Sequence, residues 1–405
     1  MHPATARRAV AALVTSKIRE IANAGLEAGD VLAFWFGEPD QVTPEFIRDA
    51  AAAALAAGET FYTHNLGLTE LREAIAGYLS GLHRPTGPDE IAVTASGMSA
   101  LALVFQALVD PGDRVVAVTP VWPNLVEIPK VLSANVETIA LEFGPRGWSL
   151  DLDRLLAALT PATRVLVINS PNNPTGWTAT ADEQRAIFER CDRHGIWIVA
   201  DDVYERLYYR DDATSKRRNA ACERSEARCA PSFLDFAPPD ARLVSTNSFS
   251  KAWLMTGFRL GWIVAPAALV PELATLIEYN TSCSPAFVQR AGIVAIEQGE
   301  ATVAATRARF RHARDRLIAA LSQLPNVDVA LPPGAMYAFF RIRGVDDSLA
   351  FCRELVLRER LGLAPGSAFG PAGEGFARWC FAASDERLDE GVRRLARHLH
   401  ARVSR

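Results

Sequence analysis

The sequence predicts an α/β protein whose main sheet is largely parallel. Three observations carry this. Short runs rich in Val and Ile recur through the middle of the chain, and stretches long enough for helices separate them. The runs are apolar on consecutive residues instead of alternating, the texture of strands buried on both faces. Strand and helix in repeated succession imply crossover connections covering the sheet. At 405 residues the chain exceeds one ordinary core, so a large domain with a smaller companion is expected.

The strand candidates, in order, are IAVTAS (91–96), RVVAVT (114–119), RVLVINS (164–170), WIVAD (197–201), RLVSTNS (242–248) and RLGWIVA (259–265). Between them SALALVFQALVD (99–110) and ADEQRAIFERCDRHG (181–195) read as helices. Gly195 closes the second, since glycine suits the left-handed C-cap. Past residue 285 the texture changes. Residues 295–324 read as one long Arg-rich helix, followed by strand candidates YAFFRI (337–342) and ARWCFAA (377–383) and an amphipathic helix near 385–402. The expected division gives 1–43 to the smaller domain as an N-terminal segment, 44–290 to the large domain, and 291–405 to the smaller one with its connecting helix. Residues 210–232, dense in charge and poor in large apolar side chains, read as an exposed insertion.

Composition narrows the function. Apolar residues make up 49% and charged residues 22%, as in ordinary globular proteins, and the net charge of −4 gives no electrostatic case for nucleic acid or an anionic membrane. Small molecules are the expected partners. No apolar run reaches the length of a membrane span, and the N-terminus lacks the apolar stretch and cleavage site of a secretory signal. Six scattered cysteines (Cys191, Cys222, Cys229, Cys283, Cys352, Cys380) suit a reducing, cytoplasmic compartment. Cys222 and Cys229 form the one close pair and read as free thiols in a loop. The seven histidines form no HExxH and no Cys-His ligand spacing, so no metal site is expected.

Sheets of this kind bind ligands beyond the carboxyl ends of their strands. After IAVTAS, Gly97 opens a helix near Met98, and free N–H groups with the Ser96 hydroxyl suit a phosphate there; a plain turn glycine is the alternative. After RVLVINS, PNNPTG (171–176) makes a rigid turn carrying Asn173. WIVAD ends in Asp201, a carboxylate costly to bury unless a cation faces it. After RLVSTNS, the residues Ser248, Ser250, Lys251 and Arg259 crowd one loop, an anion site beside a nucleophilic amine. A phosphate cradle, an amine, an aspartate and an amide donor match the requirements of pyridoxal 5'-phosphate.

At this point the sequence resembles the class I/II aminotransferases of pyridoxal-phosphate fold type I, from about Ser16 to the C-terminal helix. The resemblance implies a mostly parallel seven-stranded sheet in the large domain and a smaller α/β domain. SFSK with Arg259 downstream resembles the cofactor-lysine signature. It implies that Lys251 is the catalytic amine holding the cofactor aldehyde, and that Ser248, Ser250 and Arg259 contact the phosphate. SGMSA implies the same for Ser96, Gly97 and Met98. NNPTG places Asn173 near the cofactor phenolic oxygen and the substrate carboxylate. ADDVYE implies that Asp201 faces the pyridine nitrogen and Tyr204 the phenolic oxygen. PVWPN puts Trp122 where an aromatic stacks on the ring. FYTHNLG implies that Tyr62 reaches the phosphate of a neighbouring subunit, and so a homodimer with a shared active site. FGEPD supplies Gly37, and PGSAFGPAGEGFARWCFA supplies Arg378, for the substrate carboxylate.

The resulting expectation is a transaminase that moves an amino group from an L-amino acid to a 2-oxo acid by a ping-pong route, with Lys251 moving the proton. In related bacterial aspartate aminotransferases a lysine often follows the phosphate-loop glycine. Met98 stands there, which favours a neutral or apolar side chain; Arg341 and Arg343 are candidates for an acidic one. The alternatives are a C–S β-lyase of the same fold and a non-catalytic pyridoxal-phosphate-binding protein. Regulators built on this fold usually add an N-terminal DNA-binding domain, for which too few residues precede FGEPD. A nicotinamide dehydrogenase is disfavoured because no strand runs into G-x-G-x-x-G.

Overall fold

Seven strands carry the functional end of the molecule. In the computed structural model, which describes residues 5–210 and 229–403, they are β1 (Ile91–Thr94), β2 (Arg114–Thr119), β3 (Asn135–Ala140), β4 (Thr163–Asn169), β5 (Trp197–Asp201), β6 (Leu243–Ser248) and β7 (Gly261–Val264). Their spatial order is β1-β7-β6-β5-β4-β2-β3. β7 is antiparallel to both of its neighbours, and the other pairings are parallel. Alternate residues of one strand feed two different cores. Val116 and Val118 pack in one, Val115 and Ala117 in the other. Burial on both faces is why these strands read as unbroken apolar runs.

All six sequence candidates form strands. The seventh, β3, was not legible as one. It is an edge strand whose Asn135, Glu137 and Thr138 are exposed, and polar side chains are how edges avoid pairing with other chains. The helix Gly97–Leu108 starts at Ser96, whose side chain accepts from Ser99 N. Helix Ala181–His194 has a Thr180–Glu183 capping box and ends at Gly195 with φ 67°, as its sequence predicts.

The single helix expected over 295–324 is two, Ala286–Gln298 and Glu300–Leu321. Gly299 separates them at φ −87° and ψ 0°, and a side chain there would collide with Ala295 O and the Trp253 indole. The glycine lets the chain turn against Trp253. Beyond it, β8 (Val327–Asp328), β9 (Tyr337–Ile342), β10 (Ala364–Pro365) and β11 (Phe376–Cys380) form an antiparallel sheet in the order β8-β9-β11-β10. The N-terminal segment joins this end. Leu32–Ala33 pairs in parallel with Leu361–Gly362, and Ile18, Ile21, Phe34 and Trp35 share a core with Phe340, Phe351, Leu355 and Trp379.

Most of the charged segment 210–232 (residues 211–228), with Cys222, lies outside the described residues. The other five cysteines are free thiols. Among the described residues no helix is long and apolar enough to cross a membrane, and no cluster of His, Cys, Asp and Glu could hold a metal ion.

Candidate active site

The tips of β4, β5 and β6 end level with one another: Asn169 is paired with Asp201, and Asp201 with Thr246. Residues just past these tips therefore project from one edge, where helix Gly97–Leu108 also begins. A cavity of about 530 Å³ opens there. Gly97, Met98 and Trp122 line it from one side, and Asn173, Asp201 and Tyr204 from the middle of the edge. Ser248, Ser250, Lys251 and Arg259 line it from the loop after β6, and Gly37 and Arg378 from the smaller sheet's side.

One corner is built for an anion. Ser96 has φ 145° and ψ 164°, a conformation that residues with side chains seldom adopt. Its hydroxyl oxygen accepts from Ser99 N at 3.0 Å, which leaves the hydroxyl hydrogen to donate. A Cβ on Gly97 would stand 3.1 Å from Ser248 Cβ, tighter than usual contact, so glycine lets the helix start settle onto Ser248. The Ser248 and Ser250 hydroxyls are 2.8 Å apart. Arg259 is exposed, its backbone left-handed at φ 54°, and its Nη1 donates to Thr256 O at 2.8 Å. First-turn N–H groups, two hydroxyls and a guanidinium around one point make an anion cradle.

Asp201 and Lys251 face the same cavity. Asp201 is buried, and Val203 N, at 3.4 Å, is its hydrogen-bond donor; no described cation pairs with its carboxylate. Burial pushes its pKa up to about 7, against the lowering effects of Val203 N and the Lys251 charge. The Lys251 amine donates to Gly37 O at 2.5 Å, and burial lowers its pKa to about 8. A carboxylate with no cation, and an amine easily made neutral, are held ready for a ligand that carries the one and consumes the other.

The shift of Asp201 has a consequence for stability. A carboxyl that titrates near 7 when folded and near 4 when unfolded holds its proton in the native state across that interval. Its contribution is thus present at low pH and is lost as pH rises from about 4 to about 7. In the cofactor-free protein, Asp201→Asn is expected to flatten the fall in Tm over this window, measured by calorimetry at a series of pH values. An unchanged slope refutes the raised carboxyl. Asp202 is also pushed to about 7, by burial and then by Glu205, so part of the slope remains in the variant.

Opposite this pair, Arg378 is buried at 2% exposure between the Tyr337 ring (4.5 Å) and the Phe369 ring (4.8 Å). Nη1 donates to Asn173 Oδ1 at 2.9 Å and Nη2 to Trp35 O. Nε is buried with no hydrogen-bond partner among the described residues. An orphaned donor on a buried guanidinium is costly unless something anionic completes it. Asn173 Nδ2 is 3.5 Å from the Tyr204 hydroxyl, which is 2.7 Å from that of Tyr337. A Cβ on Gly37 would collide with the Tyr337 hydroxyl, so only glycine lets the N-terminal segment close this wall.

Tyr62 is the predicted residue that the structure leaves away from the cavity: it is 89% exposed and contacts nothing at the site in one chain. Ser96 does not line the cavity, though the helix it caps supplies Gly97 and Met98 to it. Sequence reasoning missed Tyr337, Asn247, Asn124 and the group Ile18, Arg19, Phe36 and Leu101, all of which line the cavity. Asn247 was within reach, being one residue before Ser248 at a strand tip. Tyr337 was not, since it starts an apolar strand that reads as core. Arg341 and Arg343 do not line the cavity. Arg341 lies over the Phe143 and Phe376 rings, and Arg343 pairs with Asp328.

Comparison with known proteins gives the same direction. The family "Aminotransferase class I and II" matches residues 29–395. An aspartate aminotransferase of Pyrococcus horikoshii is 34% identical over 388 residues, 95% of this chain and 94% of that protein. Among solved structures, an aromatic aminotransferase from Pyrococcus horikoshii superposes with a TM-score of 0.83 at 30% identity, covering 94% of this chain and 99% of its own. An N-succinyldiaminopimelate aminotransferase from Mycobacterium tuberculosis does so with 0.86 at 28% identity, covering 97% and 99%.

Proposed function

The chain belongs to the class I and II aminotransferases, and from that premise we propose which residues do the work and which amino acids it takes. It is a pyridoxal-phosphate-dependent transaminase of fold type I, passing an amino group from an amino acid to a 2-oxo acid. The residues present fit the cofactor. The observation that carries the reading is the buried Asp201 carboxylate, without a described cation, lining the same cavity as an amine of lowered basicity. The glycine-floored anion corner beside them is the second support.

When bound, pyridoxal phosphate supplies an aldehyde for an amine to attack and a ring that draws electrons from the α-carbon. In our reading Ser96, Gly97, Met98, Ser248, Ser250 and Arg259 hold the phosphate, and Trp122 stacks on the ring. Asp201 keeps a proton on the ring nitrogen, and Asn173 and Tyr204 donate to the phenolic oxygen. Arg378, with Asn173 and Gly37, holds the α-carboxylate and so turns the Cα–H bond toward Lys251. With the cofactor bound, the Lys251 amine would be the group that takes the proton from that Cα–H bond.

The amino donor we propose has a neutral or apolar side chain. Met98, Ile18, Leu101 and Phe36 give the cavity an apolar wall, and Asn124 Nδ2 fixes the Met98 thioether at 3.2 Å. A second reading, an acidic side chain, draws on Arg19, whose guanidinium lies 4.8 Å over the Phe36 ring at the cavity. Mixing the loaded protein with single amino acids, while following conversion of the cofactor to its amine form, tests the function and separates these donors. If no amino acid converts it, the function falls. Release of pyruvate and ammonia from cystathionine without an acceptor would redirect it to elimination.

Met98→Lys is expected to raise kcat/KM for aspartate relative to leucine by about 10- to 100-fold, the worth of one charge-assisted hydrogen bond. An unchanged ratio in steady-state assays would remove Met98 from the side-chain pocket.

The assembly we propose is a homodimer in which Tyr62 reaches the partner's cofactor phosphate. The exposure of Tyr62, with Phe61 and Tyr279 also bare at 85% and 87%, supports it. A monomer in sedimentation velocity would end that reading. We also divide the chain into 1–43, 44–290 and 291–405, supported by the pairing of Leu32–Ala33 with Leu361–Gly362. A cytoplasmic site of action is proposed from the sparse cysteines.

A further inference from the structure

Behind the cavity, past the tips of β5 and β6, lies a buried charged cluster that transamination itself does not use. His83 ends helix Thr69–Leu82, and its side chain is fully buried. Nδ1 is 2.7 Å from Asp235 Oδ1, and Nε2 is 3.1 Å from Glu205 Oε2. Carboxylates only accept, so an imidazole between two of them donates from both nitrogens and is cationic. Burial opposes that charge, but the bonds to Asp235 and Glu205 outweigh it and hold the pKa well above the ordinary histidine value.

Glu205, itself only 4% exposed, passes the constraint on. Its Oε1 accepts from Asn247 Nδ2 at 2.9 Å, and Asn247 Oδ1 accepts from Ser248 N at 2.8 Å. Asn247 and Ser248 both line the cavity, and Ser248 is the residue onto which Gly97 settles. An unbroken series of hydrogen bonds therefore runs Asp235–His83–Glu205–Asn247–Ser248, from the protein's flank to the floor of the anion corner. The surrounding groups are also committed. Asp202 accepts from Ser245 at 2.6 Å and Ser232 at 3.3 Å, Arg206 pairs with Glu300, and the Tyr78 hydroxyl lies against Glu205 at 3.4 Å.

We infer that His83 is a positioning residue for cofactor binding, acting through Glu205 and Asn247 to hold Ser248 at the phosphate. Without the imidazolium, a buried carboxylate is left uncompensated. Glu205 then draws the Asn247 amide toward itself or turns away, and Ser248 loses the fixed amide oxygen beneath it. The inference rests on reading the Gly97–Ser248 corner as the phosphate seat.

The test titrates pyridoxal phosphate into cofactor-free wild type and variants, following fluorescence for Kd, with Tm recorded in parallel. His83→Ala is expected to weaken binding about tenfold or more, the scale seen when an outer hydrogen-bond partner is removed behind a metal site. The double variant His83→Ala/Glu205→Gln removes the stranded charge but keeps an amide oxygen for Asn247, so it should recover most of the affinity. A merely structural histidine would lower Tm in both variants and leave Kd alone. If His83→Ala does not fold, His83→Gln, which keeps one donor toward Glu205, carries the test with an intermediate loss. Wild-type affinity in the single variants, or no recovery in the double, overturns the inference. If wild type itself fails to bind pyridoxal phosphate, the reading of the cavity fails first.

Discussion

Lys251→Ala is expected to lower turnover by about 10⁴-fold or more, since it removes both the attachment point and the group that moves the proton. The expectation rests on where the amine sits. It follows β6 directly, lines the cavity, and donates to Gly37 O at 2.5 Å, so the amine is held between the large sheet and the segment that closes the cavity. Its pKa, brought down by burial to about 8, leaves a useful neutral fraction at neutral pH, whereas an exposed lysine would be almost wholly protonated. The variant should still bind pyridoxal phosphate, because the phosphate corner is untouched. It should lack the absorbance of covalently held cofactor. In wild type the rate of covalent capture should rise with pH and level off above about 8, instead of climbing toward the ordinary lysine value. Stopped-flow absorbance reads the capture rate, and a coupled assay with an added small amine reads rescue. Turnover within tenfold of wild type would assign the proton transfer elsewhere.

Much of this cavity was legible in the sequence because its residues follow strands. Asn173, Asp201, Ser248 and Lys251 each come within a few residues of an apolar run's end, and parallel strands deliver such ends to one edge. What periodicity could not supply was the wall contributed by the smaller sheet. Tyr337 belongs to a strand whose pattern reports only burial, yet its hydroxyl meets Tyr204 at 2.7 Å and its ring lies under Arg378. The cluster behind the site was hidden for another reason. His83, Glu205 and Asp235 come from three separate stretches, and nothing local marks them as partners of one another or of Asn247 at the strand tip. Charged side chains are mostly exposed, and only the fold brings the His83 imidazole and the Glu205 carboxylate together in the interior, with Asp235 at the flank. The β3 strand and the break at Gly299 were missed on local grounds, one by the polarity of an edge and the other by a glycine inside a helical pattern.

Arg378→Lys is expected to reduce kcat/KM for amino acids by about 10²- to 10⁴-fold, as two charge-assisted hydrogen bonds to a carboxylate are worth roughly 1.5–3 kcal/mol each. The guanidinium is already oriented by Asn173 Oδ1, by Trp35 O and by the Tyr337 and Phe369 rings, and Nε has no partner among the described residues. Five donors on a planar fork can serve those anchors and a carboxylate together. An ammonium with three donors at one point cannot reproduce that geometry, and lysine would also leave Asn173 Oδ1 or Trp35 O unpaired in a buried wall. Because the carboxylate is held both before and during proton transfer, most of the deficit should fall on KM. A smaller part should fall on kcat, since a substrate that pivots about one contact no longer aims its Cα–H bond at Lys251. Both half-reactions should suffer alike, as amino acid and 2-oxo acid carry the same group. Cofactor affinity should stay near wild type, because the phosphate corner is formed by other residues. Steady-state kinetics on each half-reaction, with a parallel cofactor titration, gives all three quantities. A KM within threefold of wild type, with cofactor binding intact, would move the carboxylate site off β11 and leave the orphaned Nε without an explanation.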